Sequence, residues 1–406
     1  MKLPQITRRR AIAGGAAVVA VGAATAVGVS RCSHGDADMP AEPTTSGDAA
    51  AGKRGGKLVL YTSCNDALVN AVVPAFSQET GVVVDVRQMT TSECRDYAAA
   101  EVAAGSAIGD VVWGGDESWF AAGEGCFEKY FSAGNQSVRD DCRNEGGCAT
   151  PVTREVCVIA VNKALAEKLQ LEVKSYESLL AGACAGLVAI PDPKTDAAGL
   201  SQVEAVLAAG DAQKAKTDAS AVTSGEASAA ASTTEKSDPA GEAAAQPADA
   251  AAGDAVASGA ATEALDGQAL LAGISAQIGD KVFPTSEDVI EAVLNGEAVA
   301  GLVYEQLAQD FASSTGEIEV VYPQEGALVA HGCAAIVKGC DNHEQARSWV
   351  DYVTGDSCQW AAAGKSAVRS VKDGVALREG MPADDKLEVL QKTDDDAPTI
   401  WDSLRG

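Results

Sequence analysis

Residues 57–120 read KLVLYTSCNDALVNAVVPAFSQETGVVVDVRQMTTSECRDYAAAEVAAGSAIGDVVWGGDESWF. Leu58 to Tyr61, Val82 to Val86 and Val111 to Trp113 are apolar runs of strand length. The segments between them carry apolar residues at helical spacing, so the stretch predicts a βαβαβ unit. In an open parallel sheet the loops leaving the carboxyl ends of the strands form the ligand crevice. Three turns therefore become candidate contacts: Thr62-Ser63-Cys64-Asn65, Thr90-Thr91-Ser92-Glu93 and Gly114-Gly115-Asp116-Glu117.

The chemistry of these turns suits a polar solute. Thr62, Ser63 and Asn65 lead into a helix, where hydroxyls, an amide and free backbone N–H groups can meet an anion. Any one of them can equally be the helix N-cap. Thr91, Ser92 and Glu93 repeat the arrangement, and Ser92 with Arg95 three residues on is not a capping box. Gly114 and Gly115 allow close backbone approach, with Asp116 behind them, although a tight turn capped by Asp116 fits the same residues.

Outward from this unit, the net charge of -27 speaks against nucleic acid as a partner, because phosphate binding needs clustered Lys and Arg. Residues 1–31 are laid out as an export signal: Lys2, Arg8, Arg9 and Arg10, then Ala11 to Val29 without a charge. Thr7-Arg8-Arg9-Arg10 resembles a twin-arginine signal. An uncleaved membrane anchor is the alternative, since about 19 residues can just span a bilayer. Cys32 is the candidate lipid attachment point, with Arg31 where a small residue is usual, and 32–56 reads as a polar tether. The location expected is extracytoplasmic, with the N-terminus as a candidate membrane anchor.

Setting Cys32 aside leaves an even ten of the eleven cysteines, which in an exported chain favours disulfides over metal sites. Cys142 with Cys148 and Cys333 with Cys340 are close in sequence, and Cys64 with Cys94 share one edge of the predicted sheet. No CxxC occurs among only three histidines, and His331 and His343 read as structural.

Further along, Thr153 to Asn162 and Gly186 to Ile190 are strand patterns, and the loop Lys194 to Gly199 leads into an apolar helix, which predicts a second α/β unit. From Ala208 to Ala264 the chain turns Ala/Ser/Thr-rich with no aromatic, cysteine or arginine, and is expected to be disordered. Structure resumes with a capped helix at Ser286 to Asn295, strands at Ala298 to Tyr304, Glu317 to Tyr322 and Ala327 to Lys338, and helices at Glu305 to Phe311 and Glu344 to Val353. Ser63 or Cys64 as a hydrolytic nucleophile lacks both a G-x-S-x-G elbow and a placed histidine, so an enzyme is not expected.

LVLYTSCNDALVNAVVPAFSQETGVVV, GDVVWGGDESWF, VIAVNK, YESLL, AIPDPKTDAAG, AVLNGEAVAGLVYE, VVYPQEGALV and AAIVKGCDNHEQARSWVDYV occur in that order. This series resembles the substrate-binding proteins of ABC importers, in the ferric-iron type subgroup of the class II periplasmic-binding-protein fold. The resemblance implies an α/β fold of two lobes joined by hinge strands around an inter-lobe cleft. Lobe 1 would comprise 57–154, lobe 2 155–319 with the insert 208–264, and 320–406 would return to lobe 1 with C-terminal helices. The crossovers would lie near Pro151 to Val156 and Glu319 to Tyr322.

The implied function is the extracytoplasmic solute-binding component of an ABC importer, which captures ferric iron or a small phosphorylated or carboxylated anion by hinge closure. The partners are the solute and a membrane ABC permease, the protein is a monomer, and no cofactor is implied beyond iron as cargo. A binding protein feeding a membrane receptor or sensor kinase is the alternative. Lys194, Thr195 and Asp196 would face the lobe 1 turns from the other lobe. Tyr304, Glu305 and Glu93 would be metal ligands if iron is carried, although of the adjacent tyrosines of the iron-binding relatives only Tyr304 is present.

Overall fold

The computed structural model describes residues 55–230, 264–393 and 396–406. The export signal, Cys32, nearly all of the tether, and 231–263 of the insert lie outside the described residues. Among the described residues no helix is long and apolar enough to cross a membrane.

The first unit is β1 (Lys57–Thr62), α1 (Asp66–Thr80), β2 (Val83–Gln88), α2 (Thr91–Ala104), β3 (Val111–Asp116) and α3 (Glu117–Ala122). Its boundaries follow local chemistry. Asn65 caps α1 by accepting a hydrogen bond from Leu68 N, and Gly81 ends it in the left-handed region at φ 77°. β1 pairs in parallel with both β2 and β3, which brings the three predicted turns to one edge.

After β4 (Phe127–Glu128) the chain enters β5 (Thr150–Asn162), whose thirteen residues are all buried. The second unit follows as α4 (Lys163–Leu169), β6 (Val188–Pro191), α5 (Ala197–Ala230), α6 (Gly267–Ile278), β7 (Val282–Phe283), α7 (Ser286–Leu294), β8 (Ala300–Tyr304), α8 (Glu305–Thr315) and β9 (Ile318–Val321). The return comprises β10 (Val329–Val337), α9 (His343–Val353), α10 (Asp356–Lys365), β11 (Arg369–Ser370) and α11 (Ala397–Arg405).

The strands run β2-β1-β3-β10-β5-β8-β6-β7. β5 is the shared strand: its first half pairs with β10, and its second half with β8 and β9. Helices cover both faces of the sheet on either side of it. Lobe 1 has one core around Phe76, Trp113 and Trp349 and another around Tyr61, Phe120 and Phe127. Lobe 2 has one around Tyr176, Leu207 and Leu271 and another around Val289, Val293 and Val303.

Three boundaries differ from the sequence reading. β9 pairs with Ile159 to Asn162, deep in lobe 2, so the second crossing comes where Val329 meets Val156 rather than at Glu319 to Tyr322. Helix α11 leaves the C-terminal return and buries Ala397 and Trp401 in the lobe 2 core. Helix α5 continues through Ala208, because a close helix crossing needs small residues: a Cβ on Gly210 would stand 2.6 Å from Gly267 Cα, and Asp211 accepts from Gly267 N at 2.7 Å. Removing 208–264 is therefore expected to lower the melting temperature by several degrees through lost packing of buried Ala208 and Ala209. An unchanged thermal midpoint would show that this part of α5 contributes nothing.

The expected bridges are absent: Cys64, Cys94, Cys142, Cys333 and Cys340 are thiols. Each proposed pair is split between core layers. Cys94 and Cys333 pack with Tyr61 and Phe120, whereas Cys64 and Cys340 lie on the other side of the sheet with Phe76 and Trp349. Cys142 packs with Val138 and Val371, away from the layer that holds Cys148. At Cys94, Cys333 and Cys340 the thiol serves as a small apolar side chain.

Candidate ligand cleft

The lobes meet at the carboxyl ends of β1, β3 and β8, around a cavity of about 90 Å³. Beside the cavity, Ser92 N donates to Thr195 O at 3.2 Å and Ser201 Oγ donates to Asp116 Oδ2 at 2.9 Å, both across the lobe boundary. Lys392 reinforces the contact by reaching Ser118 Oγ at 2.8 Å and Glu204 at 2.6 Å. The lobes are thus closed on each other.

Ser63, Asn65 and Thr91 line the cavity from lobe 1, with Gly114, Gly115 and Asp116, and Tyr304 lines it from lobe 2. Asn65 is also the α1 cap. Gly114 and Gly115 have φ of 110° and 89°, in the region where only glycine is unstrained. A Cβ on Gly114 would lie 2.4 Å from Ser63 Oγ and 3.2 Å from Cys64 N. Gly114→Ala is therefore expected to cost about 1–3 kcal/mol and to abolish solute-induced stabilisation. Gly105→Ala is the control, since it meets strain at φ 70° but open space. Equal loss of binding in both variants would show that strain alone, not the cleft contact, is responsible.

Six sequence-selected residues are placed elsewhere. Thr62 is fully buried under the turn and accepts from Cys64 N at 3.1 Å. Ser92 and Thr195 meet each other through the backbone, and Thr195 Oγ1 donates to Pro284 O at 2.9 Å. Lys194 is turned out to solvent, 2.9 Å from Asp402. Glu93 completes a capping box with Thr90, accepting from Thr90 N at 2.9 Å, so the box lies one step earlier than the Ser92 reading. Glu305 is drawn away by Arg369 at 2.6 Å, with both side chains almost fully buried.

Sequence reasoning passed over Glu155, Glu287 and Ser201. Glu155 reaches the cavity from β5, at its turning point between lobes, and accepts from Thr153 Oγ1 at 2.6 Å. Gly332 opposite makes the room, since a Cβ there would lie 3.1 Å from Glu155 Oε1. Glu287 enters at the start of α7, and Asp196 beside it accepts from Ser286 N and Oγ at 2.8 and 2.9 Å.

The cavity therefore holds four carboxylates, Asp116, Glu155, Asp196 and Glu287, and no lining residue is Lys, Arg or His. Among the described residues none of the four has an ion-pair partner within 4 Å. Burial pushes the carboxyls of Glu155 and Glu287 up to about 7. Asp116 and Asp196 are raised by the same cause, offset by the N–H and hydroxyl donors they accept from. Tyr304 donates to Ser201 Oγ at 2.7 Å, and burial holds its phenol well above its ordinary range. Tyr304, Ser201 and Asp116 so form one chain across the lobe boundary.

The family model described as bacterial extracellular solute-binding protein matches residues 71–389. No curated protein matches the sequence. Among solved structures, the periplasmic binding protein AfuA of Actinobacillus pleuropneumoniae with fructose-6-phosphate bound is similar at TM-score 0.64 and 16% identity, over 83% of this chain and 92% of that one. Iron-bound HitA of Pseudomonas aeruginosa is similar at TM-score 0.60 and 18% identity, over 86% and 98%. The apo ferric-ion-binding protein A of Pasteurella haemolytica gives TM-score 0.57 and 14% identity, over 86% and 96%. At these identities the likeness is one of fold, that of the two-lobe class II binding proteins.

Proposed function

This chain belongs to the bacterial extracellular solute-binding proteins, and from that premise we propose that its cleft captures a small cationic solute for an ABC importer. The observation that carries the charge of the solute is the set of four cleft carboxylates, Asp116 and Glu155 buried and Asp196 and Glu287 half-buried, with no Lys, Arg or His lining the cavity. A buried charge needs a partner, and in a closed cleft the solute is the partner available. A phosphorylated or carboxylated anion would instead meet a carboxyl-lined cavity that offers it no cation, with Lys194 pointing away.

Between cations, an organic ammonium fits better than a bare metal ion. Its N–H groups can reach carboxylates spread around a cavity, whereas ferric iron wants hard oxygens converging on one point. The only convergent group of His, Cys, Asp or Glu ligand atoms among the described residues lies elsewhere. A space of about 90 Å³ suits a solute of a few heavy atoms.

The family implies a small ligand and a membrane ABC transporter as partners. Export by residues 1–31, tethering through 32–56 or Cys32, and a monomeric state complete the reading. A melting-temperature screen tests the solute class, because a ligand that binds the folded state stabilises it by mass action. Small primary and quaternary amines are expected to raise the midpoint, and phosphate esters to leave it unmoved. Stabilisation by a phosphate ester would overturn the cation reading. Stabilisation by ferric citrate alone, with a visible charge-transfer band lost in Tyr304→Phe, would assign iron instead.

A further inference from the structure

We propose that Asp141, Cys142 and His331 form a second site, a structural site for a borderline divalent cation such as zinc, behind the hinge and separate from the solute cleft. One ligand atom from each of the three lies within 4.8 Å of the others. Cys142 Sγ is 3.7 Å from Asp141 Oδ1, and Glu117 Oε2 is 3.5 Å from His331 Nδ1. A thiolate, an imidazole and carboxylate oxygens are the donor set that suits zinc, and soft sulfur with nitrogen disfavours magnesium or calcium. Glu117 can close the coordination as a fourth ligand or orient the imidazole from behind, as carboxylates do at histidine-ligated metals.

The location follows from strand geometry. His331 and Gly332 are consecutive on β10, so their side-chain positions face opposite ways, and Gly332 lines the solute cleft. His331 pairs across the strand with Arg154 of β5, the other crossover strand. Asp141 and Cys142 come from the cysteine-rich loop, which Arg139 N anchors to Val371 O at 2.8 Å. A metal here would tie that loop and α3 to the strand pair that forms the hinge. Entry is open, because a surface cavity of about 600 Å³ is lined by Glu117 and Asp141.

The neighbouring charges permit the cation. Arg139 and Arg154 both approach Asp141, at 3.3 and 3.8 Å, but each also holds Asp384, and Arg139 holds Asp373 as well. Asp141 can thus exchange its arginine contacts for the metal without leaving either arginine uncompensated. Arg154 Nε has no hydrogen-bond partner, so Asp141 is not locked to it. Binding replaces the Cys142 S–H bond with a sulfur–metal bond and passes the proton to solvent.

Cobalt(II) titration of the reduced, metal-free protein tests this. One equivalent is expected to give a sulfur-to-cobalt charge-transfer band in the near ultraviolet with visible bands of a four-coordinate ion, both displaced by zinc. Cys142→Ser should remove the charge-transfer band, and His331→Gln should weaken cobalt binding at least tenfold. The solute-induced rise in melting temperature should survive in both variants, so that failure of the metal site and failure of the solute reading are told apart. No band in the native protein, a band that persists in Cys142→Ser, or an intact mass showing Cys142 in a disulfide in the exported protein would overturn the proposal.

Discussion

Replacing Arg369 with alanine is expected to destabilise the protein by about 3–5 kcal/mol, the usual cost of stranding one member of a buried ion pair. Arg369 Nε and Nη2 hold the two oxygens of Glu305 at 2.6 and 2.8 Å, Nη1 holds Asp384 at 2.7 Å, and Nη2 also donates to Pro382 O at 2.8 Å. The pair is 1% and 2% exposed, so water cannot replace the lost partner. Tyr322 donates to the same carboxylate, which leaves Glu305 with that hydroxyl as its remaining partner in the variant. Glu305 opens α8 in lobe 2 directly after Tyr304, and Arg369 belongs to the C-terminal return, so the pair fastens one crossing of the hinge. Urea unfolding measures the loss. The double variant Arg369→Met, Glu305→Gln should recover more than half of it, because no charge is then left unpaired. A cost below about 1 kcal/mol for Arg369→Ala would mean that water reaches Glu305 or that its carboxylate takes up a proton.

Much of this architecture was legible in local sequence. Apolar runs separated by helical periodicity locate β1, β2 and β3, and polar turns at their carboxyl ends locate half of the cleft, because parallel topology sends those ends to one edge. What local sequence cannot show is which neighbour claims a side chain. Glu93 and Glu305 sit beside site turns, yet one is taken by Thr90 three residues away and the other by Arg369, 64 residues on. The cysteines read as bridges by parity, but the sheet divides the proposed partners. Ala208 and Ala209 read as disorder by composition, and only the packing of α5 on α6 recruits them.

One signal was available for the missed half of the site. Glu155 stands inside the apolar run REVCVIAVN, and a lone acid within a buried strand is costly unless it meets a ligand or a partner. Ser201 and Glu287 carried no such mark, since each begins or lies in an ordinary helix and reaches the cleft only through closure of lobe 2.

Lowering the pH from 8 to 6 is expected to weaken capture of a cationic solute by roughly tenfold for one coupled carboxyl and up to about a hundredfold for two. The sign follows from Glu155 and Glu287, whose carboxyls burial pushes up to about 7. Below that pH they are protonated, and a cation must expel the protons to bind. The unliganded protein behaves oppositely: a carboxyl raised by folding favours the folded state at low pH, and that contribution is lost as pH rises from about 4.5 through 7. Glu155→Gln separates the two effects. It should stabilise the empty protein at pH 8, where a buried negative charge disappears, while cutting solute affinity roughly ten- to a hundredfold, the worth of a hydrogen bond to a charged group. Calorimetry in two buffers of different ionisation enthalpy should show about half a proton fewer released on binding in the variant near pH 7, where the native Glu155 carboxyl is half protonated. Affinity that rises as pH falls, or a Glu155→Gln variant that binds as tightly as the native chain, would mean that the cleft carboxylates do not hold the solute.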